Sequence, residues 1–98
     1  MIFVFDELHL PAFWMKNTLI PLDLVFLDES GNVVDVIANV QPCAAEPCPN
    51  YPPSSPALAV LELGAGVAAL HQTEPGTFLR FERVTGYPVA SEEPKPAN

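Results

Sequence analysis

The sequence predicts an all-β fold with at most one short helix, folded as a small β-sandwich or a partly closed barrel. Three observations lead there. Short apolar runs rich in β-branched and aromatic residues recur along the 98 residues, separated by turn-forming residues. Prolines number 12, more than twice the usual share of about 5%, and their spread forbids long helices. The hydrophobic fraction is 49% and the charged fraction 16%, so a chain of this length can bury one core. Packing strands into a sandwich or barrel is then the simplest way to hide their edges.

Residues 2–5, Ile-Phe-Val-Phe, form the first expected strand, and Asp6 to Pro11 a loop. Ala12 to Met15 is a second short strand, and Pro21 marks a boundary. Residues 22–40 make a hairpin. Its first arm starts at Leu22, its turn is Glu29-Ser30-Gly31-Asn32, and its return arm is Val33–Val40. Gly31 and Asn32 suit positive φ. Both arms are apolar at nearly every position, which calls for cover on both faces. Residues 41–56 contain six prolines, a density that excludes ladder and helix and implies a stiff, ordered loop. Ala57 to Leu63 is a strand leading into Gly64-Ala65-Gly66, and Val67 to His71 is the helix candidate. Thr77 to Val84 reads as a one-sided strand, with Leu79 and Phe81 inward and Arg80 and Glu82 outward. The single domain thus covers residues 1–85. Residues 86–98 are a polar, proline-bearing tail expected to be disordered from about Ser91.

The net charge is −8 and the isoelectric point about 4.3. Such a field repels phosphate backbones and anionic lipid surfaces, so nucleic acid is not an expected partner. No apolar run approaches the roughly 18 residues that span a bilayer as a helix. Met1 to Phe5 lacks a basic flank and runs straight into Asp6 and Glu7, so it reads as a strand and not as a signal peptide. Lys16 is the only Lys or Arg among the first 79 residues, which hold nine carboxylates.

Cys43 and Cys48 are the only cysteines. A structural zinc site needs four ligands, and His9 and His71 lie far away in sequence, so no metal or cofactor is expected. A disulfide closing this small loop and a pair of free thiols both remain open on the residues alone. His71, among small residues, reads as a surface histidine.

The densest polar cluster is Lys16-Asn17-Thr18, with Trp14 before it and Asp23 after it. One reading is a strand end and turn, with Asn17 and Thr18 bonding the local backbone. The other is a binding patch for a small anionic or polyhydroxylated ligand. There Lys16 supplies a point charge, Asn17 and Thr18 donors and acceptors, Asp23 orients Lys16, and Trp14 forms a stacking wall. Catalysis has less support. Acidic surroundings keep the Lys16 ammonium charged, and no serine sits in a nucleophile elbow. Asp23 and Asp35 could pair as carboxylates on one hairpin, the arrangement a glycosidase uses.

Met1-Ile2-Phe3-Val4-Phe5, the string Phe13-Trp14-Met15-Lys16-Asn17-Thr18, Pro21-Leu22-Asp23 and the later Leu61-Glu62-Leu63 with Ala65-Gly66 together resemble the domain of unknown function 192 family. The resemblance runs from residue 1 to about 84, and the run from Pro42-Cys43 to Cys48-Pro49 and Tyr51 looks like a variant seen within it. It implies a compact β-sandwich or barrel and a signature polar patch at Lys16, Asn17, Thr18 and Asp23. It supplies no reaction. A hydrolytic enzyme acting on saccharide or envelope material, using Asp23 with Lys16, and a purely structural accessory domain stand as alternatives to ligand or partner binding. Many members are exported, which implies an extracytoplasmic role if a leader precedes Met1, and with it a Cys43–Cys48 disulfide. Members also carry a segment ahead of the first strand. Without it the Met1–Phe5 edge is open, and a homodimer through that edge is expected.

Overall fold

The computed structural model describes residues 1–9, 13–15, 19–45, 47–81 and 87–88, with the backbone alone at Asp6, Glu7, His9, Phe13 and Trp14. Six strands and one helix follow in chain order: β1 (Ile2–His9), β2 (Phe13–Trp14), β3 (Leu22–Leu27), β4 (Val33–Val40), β5 (Asn50–Tyr51), β6 (Ala57–Gly64) and α1 (Val67–Leu70). The main sheet is antiparallel in the order β1-β6-β3-β4, and β2 and β5 pair as a separate antiparallel ribbon. The fold is mostly β with one short helix. The main sheet is open, with β1 and β4 at its margins, which fits a sandwich or partial barrel.

The central strand β3 is buried from Asp23 to Leu27, as its nearly unbroken apolar run requires. Its alternation divides the core in two. Val25 and Leu27 pack on one face with Val33, Leu58 and Ala68 of α1, joined by Tyr87, Leu79 and Phe81. Leu24 and Phe26 pack on the other with Met15, Val40, Val60 and the half-buried Cys43 and Tyr51. The sheet is therefore covered by α1 and the later chain on one side, and by the β2–β5 region on the other.

The β3–β4 turn is built on Asp28. Its carboxylate accepts the N–H groups of Ser30 and Asn32 and the Asn32 Nδ2, while its backbone N–H donates to the Asn32 carbonyl. Gly31 takes the positive φ of the turn, at 99°. Asn32 does not: it forms a bridge with Phe78, so its backbone is extended toward a neighbouring segment instead of curling.

Three expectations change. The first strand runs to His9, because a slip in the β1–β6 register between Val4 and His9 absorbs the polar residues read as a loop. The proline-rich stretch does hold a ladder, the two residues of β5, set between Pro49 and Pro52. Among its described residues, 77–81, the region from Thr77 makes a single bridge, at Phe78. There the backbone follows the start of β4 through bonds from Gly76 to Val33, Val33 to Thr77 and Leu79 to Gly31. Residues 82–84 of that expected strand, and the tail from 89, lie outside the described residues.

Candidate functional site

The site residues named from sequence are best followed from their two ends. At the leading end, β2 is held by β5, with Phe13 opposite Tyr51 and Trp14 opposite Asn50. Met15 then turns inward and is 2% exposed, among Leu24, Phe26 and Val60. Its carbonyl accepts the Cys43 N–H at 3.1 Å. Side chain and backbone of Met15 are thus both fixed. Cys43 and Cys48 form a disulfide with Cα atoms 5.8 Å apart, so one alternative left open by composition is realised and both sulfurs are committed to each other.

At the far end stands Asp23. Alternation along β3 puts it on the face of Val25 and Leu27, where α1 packs, opposite the face that holds Met15. It is 0% exposed. Such burial of a carboxylate is costly unless its oxygens are occupied. They are. Oδ1 accepts the Asn39 N–H at 2.8 Å, and Oδ2 accepts those of Gly66 and Ala68, each at 3.0 Å.

Each of these donors is free for a local reason. The β3–β4 register passes from Leu22 opposite Val40 to Leu24 opposite Ile37, so β4 carries one extra residue. Asn39 sits in this bulge at φ 54°, and Asp23 takes up its N–H across the sheet. The donors of α1 belong to a helix start, which leaves N–H groups without helical partners. Its N-cap is Gly66 at φ 92°, which has no side chain to cap them. Asp23 caps the helix from another strand. The Ala65 N–H adds a bond to the Pro21 carbonyl at 3.2 Å, tying the same turn to the residue just before β3.

Lys16, Asn17 and Thr18 lie outside the described residues, and Trp14 is described in its backbone alone. What surrounds them is defined: Met15 is anchored on one side and Pro21 to Asp23 on the other, on opposite faces of one strand. Between them Leu19 is 92% and Ile20 57% exposed. Both of these apolar side chains face solvent just ahead of Pro21.

The second carboxylate weighed for acid–base work, Asp35, accepts the N–H of Val36 at 2.8 Å and of Ser54 at 2.7 Å, which clips the proline-rich loop to β4. Both Asp23 and Asp35 therefore hold backbone. His71 is exposed, as a surface histidine is. Sequence reasoning missed Asn39, Gly66 and Ala68 as partners of Asp23. A signal was available for the helix: Gly64-Ala65-Gly66 precedes it with no Ser, Thr, Asp or Asn to cap it, so a cap had to come from elsewhere.

Residues 1–81 match the model of the family DUF192, described as uncharacterised ACR. The crystal structure of a protein of unknown function from Novosphingobium aromaticivorans is similar, with a TM-score of 0.74 and 36% identity, covering 83% of this chain and 56% of that one. A candidate transcription regulator from Sinorhizobium meliloti is similar at a TM-score of 0.67 and 34% identity, covering 78% of this chain and 57% of that one. The chain spans little more than half the length of each. No curated protein matches.

Proposed function

The chain belongs to the domain of unknown function 192 family, which has no assigned reaction, and on that premise we propose that it is a binding domain for a small anionic or polyhydroxylated ligand. The ligand would meet Lys16, Asn17 and Thr18, with Trp14 as a flanking wall. Asp23 acts as a positioning residue from within.

The observation that carries this reading is that the described residues on either side of Lys16-Asn17-Thr18 are both anchored. Met15 is buried and bonded to Cys43 at one end. Pro21 and Asp23 are bonded to the start of α1 at the other. Fixed flanks lower the entropy cost of ordering a short stretch between them when it binds, which is what preorganisation requires. Lys16, at the start of that stretch, is the sole Lys or Arg in the first 79 residues of an acidic chain, so an anion has one cationic side chain there to meet. Hydrolysis through Asp23 has less support, because both of its oxygens already accept backbone N–H groups out of reach of solvent.

The test is a thermal-shift screen of small anions and sugars on the wild type and on Lys16→Met, which keeps the apolar stem and removes the charge. A charge-assisted hydrogen bond is worth about 1.5–3 kcal/mol, so affinity should fall roughly tenfold to a hundredfold in the variant while the unliganded melting temperature holds. No shift with any compound in the wild type, or equal shifts in both proteins, overturns the proposal.

A further inference from the structure

The proline-rich loop grips β2 with two separate arms. The Cys43 arm takes Met15 through the bond from the Cys43 N–H to the Met15 carbonyl. The Asn50–Tyr51 arm takes Trp14 and Phe13 by strand pairing. Between the arms the chain runs through exposed Ala44, Ala45 and Pro47, and the disulfide closes it across a sequence separation of 5. The disulfide closes residues 43–48 into a ring, with the Cys43 arm at one end and the Asn50–Tyr51 arm starting two residues beyond the other, so the two arms that hold the three residues leading into Lys16 are covalently tied.

A ladder of two residue pairs is too short to persist by itself. Tying the loop's Cys43 arm to the chain just ahead of β5 removes much of the freedom β5 would need in order to part from β2. Both cysteines are only partly buried and flanked by exposed residues, so a thiolate reagent can reach the sulfurs. The second anchor of the Lys16 segment, Pro21 and Asp23 against α1, lies on the opposite face of β3 and contains no part of this ring.

We propose that the Cys43–Cys48 disulfide is a redox latch on the Phe13–Met15 segment. A dithiol reductant gives up two electrons and two protons. The S–S bond breaks, Cys43 and Cys48 become thiols, and the reductant closes its own disulfide. The two arms then move independently, β2 loosens, and the leading anchor of the Lys16 segment is lost while the sheet stays folded. The consequence for binding rests on the ligand patch proposed above. The latch itself is read without any ligand.

Amide hydrogen exchange on the oxidised protein, on the protein reduced with dithiothreitol, and on the double variant Cys43→Ala/Cys48→Ser tests this. Reduction should speed exchange at residues 13–15, 43, 50 and 51 by roughly tenfold to fiftyfold, the factor expected from opening so small a ring. Residues 24–27 and 58–61 should be unchanged, reoxidation should restore protection, and the double variant should match the reduced protein. Unchanged exchange in β2 after complete reduction overturns the latch. So does acceleration spread equally over β3 and β6, which would make the disulfide a staple of the whole fold. A latch that works in a protein no ligand shifts refutes the binding reading alone. Ligand shifts together with unchanged exchange refute the latch alone.

Discussion

Replacing Asp23 by Asn removes a charge and almost no volume, so it isolates what the carboxylate does. In the native protein Oδ1 takes one backbone N–H and Oδ2 takes two. An amide offers one acceptor oxygen and a donor NH2. If the oxygen faces Gly66 and Ala68, the NH2 meets the Asn39 N–H donor to donor. If it faces Asn39, both helix donors are left. At least one buried N–H is orphaned in either orientation, at about 1–3 kcal/mol, and the bonds that survive lose their charge assistance. The sum is a loss of about 3–5 kcal/mol, against a total stability of roughly 5–15 kcal/mol for a domain of this size. With a urea slope near 2 kcal/mol/M, the unfolding midpoint should fall by about 2 M. Amide exchange should rise first at Asn39, Gly66 and Ala68. Asp35→Asn is the control: it touches two backbone N–H groups from a half-buried position and should cost about 1 kcal/mol. Equal midpoints for Asp23→Asn and wild type, or a larger fall for Asp35→Asn, would refute the reasoning that the buried carboxylate holds bulge and helix start together.

Two further predictions concern the opposite end of the hairpin. A Cβ on Gly31 would run into the Leu79 carbonyl, whereas one on Gly76, at a similar positive φ, meets open space. Gly31→Ala should therefore cost clearly more than Gly76→Ala, for which the backbone penalty alone is about 1–2 kcal/mol; equilibrium urea unfolding of the pair measures the difference. Tyr87 donates its hydroxyl to the Asp28 carbonyl at 2.5 Å, and burial, with the Asp28 carboxylate adding, holds its phenol above the ordinary 10.0. A raised value means that the unfolded chain releases this proton first, so the contribution is complete below pH 10 and declines as pH rises beyond it toward the folded value. Tyr87→Phe should be less stable at pH 7 yet show a shallower loss between pH 10 and 12 in alkaline unfolding.

Much of the architecture was legible locally. The hairpin of β3 and β4 follows from apolar runs around Glu29-Ser30-Gly31-Asn32, and its cover on both faces from the lack of polar alternation in β3. The helix begins where the small residues of Gly64-Ala65-Gly66 end. β1 was read short because Asp6 and Glu7 look like a loop, and the register slip that accommodates them depends on β6, more than 40 residues away. β5 was missed because proline density argues against strands, while a pair of residues between two prolines can still bond outward to β2.

The polar cluster divides in the same way. That Lys16 is the one Lys or Arg in the first 79 residues, and that Trp14, Asn17 and Thr18 surround it in sequence, is a property of the string of residues. Asp23 was picked out for its charge and its nearness to Lys16 in the chain. Its role depends on a bulge at Asn39 and an uncapped helix start at Gly66, 16 and 43 residues further on. The sequence by itself determined the β class, the hairpin, the acidity and the cation, because side-chain periodicity, turn chemistry and charge act between near neighbours or add up over the chain. Only the tertiary structure decided what Asp23 holds and that Cys43 and Cys48 are joined. A buried carboxylate takes whatever donors the fold has left unpaired, and a disulfide forms where the backbone brings two sulfurs together.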